Sequence, residues 1–240
     1  MATGCLPENK QWVMGGIFWE TMRLTFLLAA ATTACLILIG IPLAYFLAFT
    51  GWKAKPVLET LVSMPLVLPP TVIGFYMLLA FSPESPLGAF LLEQFNIRLV
   101  FTFGGLVLGS ILYSLPFMVQ PVQAGFENLP PNLAEASYNL GKSRGETLFR
   151  VLLPNIKPAL LTGCVLSFAH TVGEFGVVLM IGGNIPGVTR VASIAIYDEV
   201  EALRYSNAFD YALMLVGFSF VILLMVYVQN RRQQYKRSSP

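Results

Sequence analysis

Two titratable side chains stand four residues apart in a strongly apolar stretch, and they are the first candidates for chemistry. His170 is the only histidine of the chain, and Glu174 follows it about one helical turn later. Residues at this spacing share a helix face and can pair, and ionisable groups at membrane depth are often functional. Three interpretations stay open: a structural pair that fixes helix packing, a gate or cavity lining, or a proton relay. Two groups in one helix form no chain across a bilayer, which weighs against the relay.

Prolines mark a second candidate site. Pro65, Pro69 and Pro70 each remove a backbone hydrogen bond that lipid cannot replace. Such backbone must face protein or a water-filled path, so we expect this segment, with Thr71 and Gly74 directly after it, to line a translocation path or gate. A packing kink is the alternative. The remaining residues predicted for the path or gate are Ser167, His170, Thr171 and Glu174.

The chain lacks the groupings with which enzymes convert energy. It contains no phosphate-binding loop of the form Gly-x4-Gly-Lys-Ser/Thr, and no Ser/His/Asp or Cys/His set stands out. We therefore predict that the protein is not an enzyme and binds no cofactor itself. Power for uphill transport must come from another polypeptide or from an ion gradient.

Composition places these residues in a membrane protein. Hydrophobic residues make up 55% of the 240 and charged residues only 12%, and the charge-free runs reach the roughly 20 residues that a spanning helix needs. We predict an all-α polytopic protein with five transmembrane helices. The predicted spans are about 24–49, 57–81, 99–123, 158–182 and 211–229.

A polar segment between the third and fourth spans has the pattern of two short helices. Asn132 and Glu135 have the spacing of a helix N-cap and its acidic partner, and Gly141 suits the end of a helix over 133–140. Ser143 and Glu146 repeat the capping pattern, so we expect a second helix from Arg144 to about 153, ended by Pro154. Few other structured polar surfaces are available in this chain, so we expect the first helix to dock a partner.

The distribution of basic residues predicts the orientation. Ten flank one set of span ends: Lys53, Lys55, Lys142, Arg144, Arg150, Lys157, Arg231, Arg232, Lys236 and Arg237. Five lie on the other side: Lys10, Arg23, Arg98, Arg190 and Arg204. The positive-inside rule then places the N-terminus outside and the 131–154 loop and C-terminus inside.

Other binding classes find no support in the sequence. Cys35 and Cys164 lie in apolar spans without a neighbouring His or Cys at ligand spacing, so Cys5, Cys35 and Cys164 predict neither a disulfide framework nor a metal site. The net charge of +2 and the placement of basic residues at span ends give no indication of nucleic-acid binding.

The loop resembles the cytoplasmic loop of bacterial ATP-binding-cassette (ABC) importer permeases. It has Glu135-Ala136-Ser137, then Gly141, then Val151-Leu152-Leu153-Pro154, and it departs from the "EAA, Gly, Ile-x-Leu-Pro" pattern only at Ser137 and Val151. The resemblance implies a type I ABC importer permease fold and an ATPase-coupling loop. The coupling residues that it implies are Glu135, Ala136, Ser137, Gly141, Leu153 and Pro154.

Three further segments resemble the molybdate importer permease family. They are 64–70 with Gly74, the tetrad 173–176, and 182–190, and the resemblance covers roughly residues 17–229. His170 departs from the family, in which Arg often stands at this position. The resemblance implies a bacterial inner-membrane protein that passes molybdate, with tungstate or sulfate/thiosulfate as alternatives. It also implies a homodimer, cytoplasmic ATPase subunits that use ATP and Mg, and an extracytoplasmic oxyanion-binding protein.

The predicted domain layout follows from these elements. We expect an extracytoplasmic segment at 1–20, a permease domain at 21–229 that contains the coupling loop 131–154, and a basic cytoplasmic tail at 230–240 beside the lipid headgroups. In the outer loop 184–210, Arg190 is a candidate contact for the anion or the binding protein. The acidic run 198–201 predicts either a contact with a basic patch of the binding protein or a solvated helix end. A proton-coupled secondary transporter based on His170 and Glu174 is the rival from another class.

Overall fold

A computed structural model describes the backbone of residues 8–238 and the side chains of residues 15–225 and 228. This part of the chain consists of α-helices and connecting loops, without a β-strand, which confirms the predicted all-α class. Cys5 and the side chains of Lys10, Arg231, Arg232, Lys236 and Arg237 lie outside the described residues, as do parts of the predicted 1–20 and 230–240 segments.

Three helices are long and apolar enough to cross a membrane alone. They are α1 (Glu8–Phe49), α5 (Phe103–Glu127) and α12 (Tyr205–Ser238), with candidate spans at Gly15–Phe49, Phe103–Glu127 and Tyr205–Met225. Predicted spans one and five fall in α1 and α12, and predicted span three overlaps α5, which begins four residues later than predicted, at Phe103. The structure extends the first helix back to Glu8, so residues 8–20 are helical, and the extracytoplasmic placement of residues 1–20 stays a prediction.

The other two predicted spans are interrupted. α2 (Lys55–Ser63) continues through a 3-10 turn at Met64–Leu66, and α3 begins only at Pro70 and ends at Phe81. α9 (Lys157–Gly173) is followed by α10 (Gly176–Gly182) after a non-helical break. Among the described residues there are three candidate spans, or five if each of two bent helix pairs crosses as one, and these pairs are Lys55–Leu66 with Pro70–Phe81 and Arg144–Asn155 with Lys157–Gly173.

Shorter helices fill the connections. α4 (Pro86–Phe95) follows α3, and Ser85 caps it by accepting a 2.9 Å hydrogen bond from the Gly88 amide. α6 (Pro131–Asn139), α7 (Arg144–Thr147) and α8 (Leu153–Asn155) form the predicted coupling loop, with a π-helical turn at Leu148–Leu152 between the last two. α11 (Ala192–Glu201) lies in the loop before α12.

The chain divides into two compact units. Unit one contains the described residues up to Ala31 together with Pro69–Ser110 and Thr171–Gly217, and unit two contains Thr32–Leu68, Ile111–His170 and the described residues from Phe218 onward. Each unit is therefore assembled from segments that are far apart in the sequence.

Unit one is held together by close helix packing. A Cβ atom on Gly74 would lie 2.7 Å from the Met180 Cβ and 3.1 Å from the Val177 Cα, and one on Gly176 would lie 2.8 Å from the Pro70 Cβ. Small residues of this kind let helix backbones approach closely inside a membrane. α3 and α10 therefore pack through glycines that a larger side chain would push apart.

Unit two has an apolar core beneath the coupling loop. Leu47 of α1, Phe126 of α5, and Leu152 and Ile156 of the loop are each almost completely buried in one cluster. Tyr45 and Phe49 pack edgewise on Phe126, with ring centroids 5.6 and 5.9 Å apart. This core positions the coupling loop on the ends of α1 and α5.

Candidate functional site

The first helix of the coupling loop presents one polar face outward. Glu135 and Ala136 of α6 are exposed, whereas Ser137 is buried, and its hydroxyl lies 2.9 Å from the fully buried Thr147 hydroxyl of α7. The hydroxyl that distinguishes Ser137 from the Ala of the resembling pattern thus has a partner. The pair ties α6 to α7 in the interior of the loop.

The turn between the two helices confirms the expected role of its glycine. Gly141 has φ +75°, a conformation that glycine adopts without the steric cost of a Cβ. Its amide donates to the Tyr138 carbonyl, and the Lys142 amide donates to the Ser137 carbonyl. Gly141 therefore closes α6 with hydrogen bonds that satisfy its last carbonyls.

The predicted start of α6 is wrong by two residues. The helix begins at Pro131, Pro130 occupies the N-cap position, and no side chain caps it, so Asn132 is inside the first turn. Proline is favoured at the first helical position because its missing N–H has no partner there. The second predicted cap is confirmed, because Ser143 accepts a 3.2 Å hydrogen bond from the Glu146 amide.

Pro154 does not end the second helix where the sequence suggested. Helical structure runs from Arg144 through the wide turn at Leu148–Leu152 and ends at Asn155, so Leu153 and Pro154 lie in its last turn. A proline normally clashes with the carbonyl four residues earlier. The wider π-helical turn before Pro154 gives that carbonyl room and allows the helix to continue.

Charged side chains decorate the exposed side of the loop. The Glu146 carboxylate lies 3.2 Å from the Lys142 ammonium and 3.3 Å from the Arg150 guanidinium. The hydrogen bond from Lys142 lowers the pKa of Glu146. Because all three groups are exposed to solvent, the pairs orient the side chains more than they stabilise the fold.

The proline segment is only partly exposed, because Pro69 is exposed whereas Pro65 and Pro70 are half-buried. Pro65 lies in the 3-10 turn, Pro69 precedes α3 and Pro70 is its first residue. Val67 between them is 85% exposed, and Thr71 is also exposed. Gly74, in contrast, is buried against α10, so its contribution is close packing. The predicted path residues of this segment thus comprise the exposed Pro69 and Thr71, the half-buried Pro65 and Pro70, and one packing glycine.

His170 is held by an aromatic and polar environment within unit two. Its Nδ1 lies 2.9 Å from the Ser114 hydroxyl, and its ring stacks on Phe117 at 4.1 Å and contacts Tyr113 at 4.8 Å. All three partners belong to α5. His170 therefore joins α9 to α5, and this structural role was one of the interpretations left open.

Glu174 does not form the expected pair. α9 ends at Gly173, so Glu174 is outside the helix and the i, i+4 spacing no longer places it on a shared face. The residue is 4% exposed, and neither carboxylate oxygen has a hydrogen-bond partner in the described part of the chain. The Ser110 hydroxyl faces it without meeting hydrogen-bond geometry.

The backbone around Glu174 is better satisfied than its side chain. The Ser193 hydroxyl of α11 donates a 2.5 Å hydrogen bond to the Glu174 carbonyl, which the break in the helix leaves without an intrahelical partner. Two other predicted path residues near the break, Ser167 and Thr171, are almost completely buried. The break is thus an internal feature, fixed by contacts from several elements.

Arg190 belongs to an ionic network in the outer loop. Its guanidinium lies 3.4 Å from the Asp198 carboxylate and 3.5 Å from that of Glu199. Glu199 also accepts hydrogen bonds from Arg204 at 2.6 and 3.1 Å and from Asn207 at 3.0 Å. The hydrogen bond from Arg204 is the main cause that lowers the pKa of Glu199.

This network changes the interpretation of the acidic run. Glu199 is 8% exposed and Asp198 is bound by Arg190 and Asn184, so both carboxylates are satisfied inside the chain. Only Glu201, which accepts from the Tyr197 hydroxyl, is on the exposed side. Arg190 likewise has its charge compensated before any anion approaches.

Three partners in these sites had no signal in the sequence pattern. They are Ser114, which binds His170, Thr147, which binds Ser137, and Glu199, which joins two arginines. Ser114 is a single polar residue in an apolar stretch, Thr147 lies among the charged residues of the loop, and nothing in their spacing points to their partners. Glu199 was assigned to an exposed acidic run because its burial depends on α12 and the loop before it.

Residues 40–235 match one protein family, which is described as "Binding-protein-dependent transport system inner membrane component". The chain belongs to this family. The matched range includes the coupling loop, the proline segment, the α9–α10 break and the Arg190 network. The protein is thus a membrane component of a transport system.

Relatives in the family agree over nearly the whole chain. The molybdenum transport system permease protein ModB of Azotobacter vinelandii is 46% identical over 88% of this chain and 93% of its own length. A putative molybdenum transport system permease of Bacillus subtilis is 33% identical over 87% and 92%. A sulfate transport system permease of Salmonella typhimurium is 33% identical over 78% and 67%.

Solved structures identify the fold as that of ABC importer permeases. A bacterial ABC transporter involved in alginate import has a TM-score of 0.76 at 17% identity, with 96% of this chain and 85% of that chain covered. The methionine ABC transporter MetNI, in an inward-facing conformation, has a TM-score of 0.68 at 18% identity, with 95% and 99% covered. At these identities the likeness concerns the fold alone.

Proposed function

We propose that this chain is the permease subunit of an ATP-driven ABC importer and forms the path for molybdate delivered by an extracytoplasmic binding protein. The observation that supports molybdate as the substrate is the 46% identity to a molybdenum permease over 88% of this chain and 93% of the relative. Tungstate and sulfate or thiosulfate are the alternative cargoes. Sulfate is less favoured than molybdate because the sulfate permease matches less of both chains.

The proposed assembly contains two copies of this chain, two cytoplasmic ATPase subunits and one binding protein in the bacterial inner membrane. The N-terminus is outside and the C-terminus inside, as the distribution of Lys and Arg indicates. The permease binds no cofactor, and the partner subunits use ATP and Mg. We also propose the layout of an extracytoplasmic segment at 1–20, a permease domain at 21–229 and a basic tail at 230–240, with residues 8–20 helical as the start of α1.

The coupling loop is the proposed docking site for the ATPase. The exposed face of α6 is mixed in character. It combines the polar Glu135 with the apolar Ala136 and Leu140, and Leu140 is 81% exposed. The Ser137–Thr147 hydrogen bond and the buried Leu152 connect this face to the core of unit two. A displacement of α6 by the ATPase is therefore passed to α5 and α1 through packed side chains.

The proposed path involves exposed polar backbone more than charged side chains. Residues 64–71 contribute a backbone interrupted by prolines and the exposed Thr71 hydroxyl, and spans 57–81, 99–123 and 158–182 contain no Lys or Arg. Without fixed positive charge at membrane depth, a dianion is held only weakly during its passage. Tight binding is then the task of the binding protein, and rapid release the task of the permease.

Glu174 and His170 are proposed to shape the path through packing. The network between His170 and Ser114 supports a structural role, and the buried Glu174 supports a part in the break between α9 and α10. Arg190 is proposed to hold the outer loop in shape for the binding protein. A proton-coupled carrier is not favoured, because the two titratable groups have separate surroundings.

Uptake into proteoliposomes tests the proposal. The permease is reconstituted with its ATPase and binding protein, and radiolabelled molybdate uptake is measured with and without ATP, and with tungstate or sulfate as competitor. We expect uptake that requires ATP and is blocked by tungstate but not by sulfate. Uptake without ATP would overturn the importer assignment, and equally strong sulfate competition would overturn only the substrate.

A further inference from the structure

A cleft of ≈ 480 Å³ opens beside the coupling loop, within unit two. Its walls come from the last turns of α1, from α6 and from the start of the second loop helix, with Phe46, Tyr138 and Arg144 among the lining residues. The coupling face of α6, formed by Glu135 and Ala136, is not part of the lining. The transport function therefore leaves this cleft without an assigned role.

The polar side of the cleft combines a cation with two hydroxyls. Arg144 has no carboxylate within ion-pair distance in the described chain, whereas the neighbouring Lys142 and Arg150 are both paired with Glu146. The Tyr45 and Tyr138 hydroxyls lie near each other, and the Arg144 charge acts on Tyr45. An unpaired guanidinium next to phenolic hydroxyls is suited to bind a phosphate group.

The apolar side of the cleft suits a hydrocarbon chain. Phe46 and Phe49 are 46% and 48% exposed, and Leu148 and Leu152 line the opposite wall. Exposed aromatic surface of this size is unusual for a water-facing pocket, yet it is common where a membrane helix meets the headgroups. Trp52, 58% exposed, follows directly and extends the same aromatic zone.

The position of the cleft along α1 agrees with the headgroup level. The candidate span ends at Phe49, and the basic residue Lys53 comes four positions later. A ligand bound by Phe46, Phe49 and Arg144 thus has its apolar part beside the end of the span and its charged part beyond it. Amphipathic anions with this arrangement of groups are the phospholipids of the surrounding leaflet.

We propose that this cleft binds one anionic phospholipid, with its phosphate on Arg144 and Tyr138 and an acyl chain along Phe46, Phe49 and Leu148. The preference for an anionic headgroup comes from the uncompensated charge of Arg144, since basic residues near a membrane surface attract anionic lipids. The lipid contacts both α1 and the coupling loop. It therefore stabilises the loop against the end of α1, and the inference is independent of the transported oxyanion.

Native mass spectrometry of the purified full-length chain tests the site. Phosphatidylglycerol and phosphatidylcholine with identical acyl chains are titrated separately, and the fraction of chain carrying one lipid is measured. We expect phosphatidylglycerol to bind about five-fold more tightly, as one basic contact implies. Arg144→Gln should remove this preference, whereas Arg150→Gln, at a position that is also exposed but lies outside the cleft, should keep it.

A second variant tests the cavity and not the charge. Gly145 lines the cleft and has open space around it, with no atom within 4 Å of a Cβ at this position. Gly145→Leu fills that space and should weaken binding of both lipids while the unfolding temperature stays at the wild-type value. This variant keeps the test valid if Arg144→Gln lowers the yield of folded protein.

Three results would overturn the proposal. They are equal binding of the two lipids by the wild-type chain, an unchanged preference in Arg144→Gln, and one-for-one loss of the bound lipid when the ATPase subunit is added. The last result would assign the cleft to the ATPase. None of these results depends on molybdate uptake, so the site and the proposed function succeed or fail separately.

Discussion

His170 and Glu174 are close in sequence, yet their surroundings differ. His170 is stacked on Phe117 and bound to Ser114, whereas the buried Glu174 carboxylate has no hydrogen-bond partner among the described residues. Burial of a carboxyl group without a partner is costly. Glu174 bears this cost at the interruption between α9 and α10.

Glu199 allows a test of pH dependence at a single residue. Hydrogen bonding by Arg204 lowers the pKa of Glu199 in the folded protein relative to the unfolded chain. The carboxylate therefore contributes stability that is present above the unfolded pKa of about 4.3 and is lost as pH falls through the lower, folded pKa. We expect acid unfolding of the wild type to include this loss.

The variant Glu199→Gln removes the titration but keeps the shape of the side chain. We expect it to be less stable than the wild type at pH 7 and to approach the wild type as pH falls below about 4. Thermal unfolding in detergent between pH 3 and 7 measures the difference. Glu201→Gln, on the exposed end of the same helix, serves as the control. A constant difference between Glu199→Gln and wild type across this range would refute the linkage.

At the scale of elements, the contact between α3 and α10 depends on the absence of side chains. Gly74→Ala would place its Cβ 2.7 Å from the Met180 Cβ and 3.1 Å from the Val177 backbone, so the helices must separate. We expect a loss of about 1–3 kcal/mol, seen as a lower unfolding temperature. Gly217→Ala in α12, where no atom lies within 4 Å, should cause no loss. Equal effects of the two changes would argue against the close packing.

Gly141 allows a test of the coupling loop as an element. Its φ of +75° is strained for L residues, with β-branched side chains the least tolerated and Asn the best. We expect Gly141→Val to reduce ATP-driven uptake by at least ten-fold while ATP hydrolysis continues, because α6 is displaced from its docking position. Gly141→Asn should retain most uptake. Coupled uptake and hydrolysis assays on both variants measure the ratio, and normal uptake in Gly141→Val would contradict the docking assignment.

At the scale of the whole molecule, the orientation in the membrane can be tested by cysteine labelling. In a chain with Cys5, Cys35 and Cys164 replaced by Ser, we expect Lys142→Cys and Gln233→Cys to react with an impermeant maleimide only from the cytoplasmic side. Ala202→Cys, at an exposed position of the outer loop, should react from outside. The positive-inside distribution gives the physical reason. Labelling of position 142 from outside would invert the proposed topology.

Substrate choice is also a property of the whole assembly. The chain is 46% identical to a molybdenum permease and 33% identical to a sulfate permease, and its predicted spans two, three and four contain no Lys or Arg. Tetrahedral oxyanions of equal charge differ little in size, so weak polar contacts in a path discriminate poorly between them. Selection is then expected where binding is tight, in the partner that delivers the anion.

The sequence by itself determined the class of this protein and the place of its coupling loop. Long apolar runs require membrane helices because lipid offers no hydrogen bonds to an open backbone. Gly141 and the Ser143 cap act through their immediate neighbours in the chain, so local spacing was sufficient to predict them. The small errors at the start of α6 and at Pro154 both concern prolines. The sequence pattern allows Pro131 to precede α6 or to be its first residue, and it allows Pro154 to end its helix or to lie in the last turn.

Only the tertiary structure decided how the isolated polar residues are used. Ser114 meets His170 across 56 positions, and the Ala192 amide donates to Thr25 across 167. The partner of such a residue depends on which helices pack together, and hydropathy and helical periodicity do not specify that packing. For the same reason, the ion pairs of Arg190 and the missing partner of Glu174 could not be obtained from spacing along the chain.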